Sequence, residues 1–342
     1  MRIVHTPVLL DECLSFLSPE RIPAKETIWM VDATLGEGGH TEAFLQRYPQ
    51  LHIIGVDADT EIQAKAKKRL APFGERVCFY SGWFTDFYHS YPENMARPDI
   101  ELFDLGISVF HYEESRRGFS FRRDEPLDMR LCSTEGRSAE DMVNSLPEQA
   151  LADILYRYGE ERCSRRVAHA IVQARAKSRI VLASELAEII YESVPAAYRH
   201  GSIHPATKTF QALRIAVNRE LERLPQVLPD AFSALETGGL LGVITFHSLE
   251  DRLVKNFFRV LGKSCVCPPE QPVCVCGGKP CAEILTRKPV VPGAAEIQRN
   301  SPSRSAKLRV IKKICDASPY RLNVKRWVGE SAVFGVGERE VL

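Results

Sequence analysis

Between residues 27 and 108, apolar β-branched runs alternate with helix-forming stretches, and this alternation limits the fold more than any other feature of the chain. TIWMVDAT (27–34), LHIIGVDAD (51–59), RVCFYSGWF (76–84) and IELFDLGIS (100–108) read as buried strands. Between them HTEAFLQRYP (40–49) has helical spacing and stops at Pro49, and TEIQAKAKKRLAPFG (60–74) opens on a Thr cap and closes at Gly74. Strands that alternate with helices predict an α/β fold, a parallel sheet with helices on both faces. From about 139 to 200 the pattern is helix alone. TFQALRIAVNRELERLPQVL (209–228) reads as one long amphipathic helix, and GGLLGVITFHSL (238–249) returns to a buried strand. The expected organisation is an α/β domain of residues 1–135 and 205–342 interrupted by a helical domain, 136–204.

The first strand runs into VDATLGEGGHTEAF (31–44), with glycines at Gly36, Gly38 and Gly39. A strand that ends in a glycine turn presents bare backbone N–H groups beside a helix N-terminus, which suits a polar ligand that approaches closely. Asp57 ends the next strand, 21 residues after Gly36, where an acid can accept from a ribose hydroxyl pair. A tight loop would also use glycines, but strand, turn, helix, strand and acid together favour a cofactor. A dinucleotide fits poorly: Thr41 stands where its fingerprint has a third glycine, His40 crowds the pyrophosphate path and Glu37 repels it. S-adenosylmethionine has no phosphate and carries an ammonium and a carboxylate, so a turn of mixed polarity suits it. Asp104, at the carboxyl end of the fourth strand, points into the crevice where an open α/β sheet binds ligands and is the candidate to face a substrate; the plainer reading is a turn or cap carboxylate.

Net charge is +1, so no strongly charged partner follows from composition. MRIVHTPVLLDECL lacks the pattern of a signal peptide, and the longest apolar runs are too short to cross a bilayer. A cytoplasmic protein is expected, with its ten cysteines reduced. Five of them fall in CVCPPEQPVCVCGGKPC: Cys265, Cys267, Cys274, Cys276 and Cys281. Because C-x-C pairs differ from the usual C-x2-C knuckle, a proline-containing loop of reduced thiols with no metal is favoured over zinc.

Basic residues are unevenly placed. Residues 299–326 hold nine Lys or Arg against one acid, 157–179 hold seven against two, and RRGFSFRR (116–123) flanks Phe119 and Phe121 with four arginines. Interleaved aromatic and basic side chains suit single-stranded RNA, the alternative being two core phenylalanines on a solvated arginine face. In the helix from Glu160, Val167 and Ile171 share a face, which turns the arginines outward. FHSLEDR (246–252) brings His247, Ser248, Glu250 and Asp251 together, but neighbouring residues rarely converge into a hydrolase triad and no G-x-S-x-G elbow is present; a crevice wall at a strand end is expected.

HTPVLLDECL, DATLGEGGHTEAFL, DLGIS, RGFSFRRDEPLDMRL, HPATKTFQALRIAVNRELE, VITFHSLEDRLVKNFF and NSPSRSAKLRV together resemble the bacterial 16S rRNA cytosine-N4 methyltransferase family, over positions 5 to about 310. The resemblance implies a class I S-adenosylmethionine-dependent methyltransferase fold, Rossmann-like, with an inserted helical substrate-recognition domain. It also implies methylation of N4 of cytidine 1402 in the 16S rRNA of the small ribosomal subunit. Carried over by position, the family's cofactor contacts fall on Gly38, Gly39, His40, Asp57, Phe84 and Asp104. A further contact, normally glutamine, is His111 here, a departure that keeps a hydrogen-bond donor. SGWFTDF around Phe84 also departs from the family wording, and nothing in the resemblance requires a metal. Asp104 is the expected catalytic group, accepting from the exocyclic amine as the methyl bond forms. Two other readings stay open: an amino-methyltransferase acting on another nucleic acid or on protein, and a non-catalytic ribosome-assembly factor that binds RNA. The oligomeric state, a homodimer included, is open as well.

Overall fold

The alternating strands form where the sequence puts them: β1 Ile28–Asp32, β2 Leu51–Asp57, β3 Val77–Ser81 and β4 Ile100–Asp104. A computed structural model describes residues 6–91, 95–201, 203–268 and 270–328. Three further strands, β5 Leu240–Thr245, β6 Ala282–Ile284 and β7 Lys307–Lys313, complete a sheet of order β3-β2-β1-β4-β5-β7-β6. The pairs among β1 to β5 are parallel, and β7 runs antiparallel to both β5 and β6. All six residues of β5 are buried, as its continuous apolar run requires for a strand covered on both faces. β1, β2, β4, β5 and β7 contribute Met30, Ile53, Leu102, Ile244 and Val310 to one core, with Phe44 and Leu45 of the helix Gly39–Arg47 packed on them.

Among the described residues the chain divides into two units. One comprises the residues up to Gly106 and those from Glu222 onward, and holds the sheet; the other is Ile107–Leu221. In the second unit the helices Glu148–Gly159, Ser164–Arg175, Ala183–Ser193 and Ala206–Val217 pack on one another, and the segment 107–135 goes with them. Val167 and Ile171 are fully buried, while Arg162, Arg165 and Arg166 are exposed, the outward placement read from the sequence.

The stretch read as a single helix from 209 to 228 is two, Ala206–Val217 and Glu220–Ala234. Arg219 between them has φ 52°, and Asn218 turns its amide to the carbonyls of Met129 and Arg214 at 2.9 Å each. The apolar period runs on through the break, so periodicity alone could not show it.

β7 was hidden in the sequence by its charge. Arg309 is buried and forms a forked pair with Asp251, Nε to Oδ1 at 2.7 Å and Nη2 to Oδ2 at 3.1 Å. Lys313 is 1% exposed, and its ammonium donates to the carbonyls of Phe232 (2.9 Å) and Leu235 (2.7 Å) at the end of a helix. Several of the nine basic residues in 299–326 are thus internal; Arg299, Arg304, Lys325 and Arg326 are the exposed ones.

A carboxylate-lined candidate active site at the strand ends

The order β3-β2-β1-β4 reverses the direction of winding between β1 and β4, and an open α/β sheet binds its ligand at such a point. Three strands that surround this point end on acids: Asp32 on β1, Asp57 on β2 and Asp104 on β4. Asp57 and Asp104 are legible in the sequence as strand-end acids. Asp32 carries the same signal, since VDAT closes β1 as GVDAD closes β2, but the glycines that follow it mask that signal.

Asp57 organises the turn. Its Oδ2 accepts the Gly36 N–H at 2.8 Å and its Oδ1 accepts the Asp59 N–H at 2.8 Å. Each carboxylate oxygen has a second lone pair, which can accept a hydroxyl. Gly38 caps the helix Gly39–Arg47 at φ 78°, where a Cβ would also lie 2.9 Å from Leu70 Cδ1. A Cβ on Gly39 would meet Pro7 Cγ at 2.6 Å. Backbone shape and packing therefore demand both glycines. Gly36 differs: its Cβ would find neighbours only at 4.0 Å, so this part of the turn is open to a close approach.

Asp104 is the acid whose carboxyl is held least by hydrogen bonds. Its N–H donates to Thr34 Oγ1 at 2.6 Å, and Oδ2 lies 3.6 Å from His40 Nδ1. Oδ1 is buried with no hydrogen-bond partner among the described residues. Burial first, then the charges of Asp32 and Glu250, push the Asp104 carboxyl well above the ordinary carboxylate range. His40 Nε2 meets the Val8 carbonyl at 3.0 Å; a carbonyl only accepts, so Nε2 carries a proton and donates, which turns Nδ1 toward Asp104. Asp32, 1% exposed, accepts from Thr41 Oγ1 at 2.7 Å; burial raises it from 3.8 to about 6 against the lowering effect of that bond and of the Thr34 N–H. A shared cluster of buried acids favours a cationic ligand and disfavours a pyrophosphate.

Phe84 opens the short helix Phe84–His89, half-buried, its ring edge-on to Phe103 of β4 at 5.8 Å. His111 belongs to the second unit, buried, its ring edge-on to Phe110 and Phe119 at 5.4 and 5.3 Å. Phe119 is buried, and Phe121 packs on Phe210 and His204 at 4.9 and 4.6 Å, so these rings are spent within the second unit while Arg116, Arg122 and Arg123 are exposed. FHSLEDR makes a helix start: His247 caps Ser248–Gly262, Glu250 Oε2 accepts the Phe246 N–H at 2.9 Å, and Asp251 holds Arg309. Four of the five clustered cysteines are gathered rather than strung along a loop: the sulfurs of Cys265, Cys267, Cys274 and Cys276 all lie within 4.8 Å of one another. Cys281 stands apart, with its N–H on the Leu261 carbonyl at 2.8 Å.

The strand order with an antiparallel β7 between β5 and β6, and a glycine turn and acids at the β1, β2 and β4 ends, define a class I S-adenosylmethionine-dependent methyltransferase. The donor set fits that cofactor, with the acceptor oxygens of the Asp57 carboxylate for a ribose and the Asp32 and Asp104 carboxyls for a sulfonium or ammonium. More narrowly, the chain belongs to the MraW methylase family, whose model matches residues 2–314. A protein of Treponema denticola named ribosomal RNA small subunit methyltransferase H is 60% identical over 314 residues, spanning 92% of this chain and 98% of that relative. One of the same name from Treponema pallidum is 43% identical over 352 residues, spanning 91% and 93%. Among solved structures, an rRNA methylase from Streptococcus thermophilus aligns with TM-score 0.39 at 11% identity over 89% of this chain and 95% of its own. SMU.1697c from Streptococcus mutans, solved in complex with SAH, aligns with TM-score 0.41 at 11% identity over 90% and 99%. At those scores the fold assignment rests on the strand order.

Proposed function

We propose that this chain methylates N4 of a cytidine in the 16S rRNA of the small ribosomal subunit, at position 1402, in the cytoplasm. The names of the relatives supply the rRNA, and the family resemblance supplies the nucleotide. The observation that carries the chemistry is Asp104, a half-buried strand-end carboxyl whose Oδ1 is itself buried with no hydrogen-bond partner among the described residues. In this reading Asp57 holds the ribose hydroxyls, the Gly36–Gly39 turn and His40 shape the cofactor's seat, and Phe84 packs against its base.

When bound, S-adenosylmethionine supplies an electrophilic methyl on a good leaving group. The chain must bring the cytosine amine in line, exclude water and manage one proton. Positioning can be worth roughly 7–11 kcal/mol. The amine is a poor nucleophile because its lone pair is delocalised into the ring, and an acceptor on its N–H returns density as the N–C bond forms. Asp104 Oδ1 is that acceptor and takes the proton that N4 loses. It acts so in its ionised form, which a positive charge brought beside it favours against the burial that raises its carboxyl. The base must leave its stack to reach such a site. The exposed Arg162, Arg165 and Arg166 of the second unit are proposed as phosphate contacts.

Incubating the chain with labelled cofactor and small subunits from a strain lacking this modification tests the reading. Label in N4-methylcytidine is expected; binding of S-adenosylmethionine by calorimetry without transfer to any rRNA would instead support a non-catalytic assembly factor.

A further inference from the structure

We infer that Cys265, Cys267, Cys274 and Cys276 form a structural zinc site that fastens the segment between the helix Ser248–Gly262 and β6. The sulfur spacing is the first argument. Zinc binds thiolates at about 2.3 Å in a tetrahedron, whose edges are then ~3.8 Å. The Cys265–Cys274, Cys274–Cys276 and Cys265–Cys276 sulfurs are 3.8, 3.5 and 3.6 Å apart, and Cys267 lies with them inside 4.8 Å. A disulfide would need about 2.05 Å. All ten cysteines are free thiols.

The second argument is the surroundings. Two CVC pairs face one another, and the second is followed by Gly277 and Gly278 at φ 92° and 66°. That left-handed turn, which a side chain would strain, folds the chain back over Cys276. The Val266 N–H donates to Cys276 Sγ at 3.4 Å. Backbone N–H groups aimed at sulfur are what orient and stabilise thiolate ligands.

Arg321 supplies the third. It is 0% exposed, and no carboxylate pairs with it among the described residues. Its guanidinium donates to the carbonyls of Cys276 (2.8 Å), Val260 (2.9 Å), Lys263 (2.6 Å) and Ser264 (2.6 Å), and Nη2 reaches Cys276 Sγ at 3.6 Å. A buried guanidinium without countercharge is costly. Four thiolates around one Zn(II) carry a net charge of −2, so the site supplies the countercharge that Arg321 lacks, and Arg321 offsets half of that charge. The carbonyls of Val260, Lys263 and Ser264 in turn tie the site to the end of the helix Ser248–Gly262. Three of the four sulfurs are not fully covered, which gives the ion a way in.

Elemental analysis of the full chain purified from zinc-supplemented cells tests this. One zinc per chain is expected, and cobalt put in its place should show the intense thiolate charge transfer and visible bands of a tetrahedral tetrathiolate. Cys267→Ser and Cys274→Ser should each lower zinc to well under half an equivalent, while Cys281→Ser keeps it. Because a serine variant can misfold, the wild-type chain stripped by a chelator is also titrated with zinc against a chromophoric competitor, and uptake of one equivalent supports the site. Failure of the stripped, folded chain to take up zinc overturns the inference. So does stoichiometric iron in the purified chain, or equal loss of zinc in Cys281→Ser.

Discussion

Three acids at three strand ends are set apart by what surrounds them. Asp57 has both oxygens on backbone N–H groups and is ready to accept hydroxyls, so Asp57→Ala should weaken S-adenosylmethionine binding. A hydrogen bond to a charged group is worth about 1.5–3 kcal/mol, or roughly ten- to a hundredfold in affinity by calorimetry. Asp104→Asn keeps an acceptor oxygen but no base. It should bind cofactor within a few-fold of wild type and lower kcat by roughly 10²- to 10⁴-fold at saturating cofactor. Normal turnover by that variant would show that positioning alone carries the reaction. Asp32 makes a prediction in pH. Its folded value, raised from 3.8 to about 6, means the native state holds a proton that the unfolded chain has released, so burying this acid destabilises the fold above pH 6 and ceases to as pH falls below about 4. The shift corresponds to ~3 kcal/mol. Denaturant unfolding of Asp32→Asn against wild type should therefore favour the variant more at pH 7.5 than at pH 4.5, and a difference independent of pH would show that the acid is not desolvated as described.

At the scale of elements, the sequence revealed what periodicity and turn chemistry encode. β1 to β4 and β5 fall within the runs read as strands, because a parallel strand buried on both faces is a continuous apolar run. β7 did not read as a strand, because Lys307, Arg309, Lys312 and Lys313 disguise it; nothing local shows that Asp251, 58 residues away, neutralises Arg309. Arg309→Ala should cost roughly 3 kcal/mol, since it removes the forked pair and leaves the partly buried Asp251 only Lys307 Nζ, 3.8 Å from Oδ2. Arg304→Ala, on the exposed side of the same stretch, should stay within about 0.5 kcal/mol by thermal or denaturant unfolding. The convergence of the cysteines was equally hidden, because thiol spacing along the chain does not show where a glycine pair folds it back. In the second unit, Gly159 lets the helices Glu148–Gly159 and Ala206–Val217 approach closely: an added Cβ would lie 2.5 Å from the Lys208 carbonyl oxygen. Gly159→Ala should overpack that contact at a cost of roughly 1–3 kcal/mol, read as a lowered denaturation midpoint; an unchanged midpoint would mean the two helices separate without cost.

At the scale of the molecule, the proposed function divides the work by unit. The sheet unit carries the acids and the glycine turn, and Ile107–Leu221 carries exposed arginines. That division was half legible: the cofactor half follows from a local pattern of strand, turn and acid, whereas the RNA half was inferred from counts of basic residues, and counts do not distinguish a solvated arginine from one spent inside the fold. Arg162, Arg165 and Arg166 are the residues to replace together. Their alanine triple variant should lose affinity for the small subunit and show a flatter dependence of log affinity on log salt, with cofactor affinity unchanged. An unaltered slope would remove this face from the RNA path. The central claim is the base and atom that receive the methyl group, and mass spectrometry of small-subunit rRNA measures it directly. In a bacterium lacking its own member of this family, expressing the chain should add one methyl group on N4 of cytidine 1402, and expressing Asp104→Asn should not. A wild-type chain that leaves this nucleotide unmethylated, or places the methyl on another atom, would contradict the account.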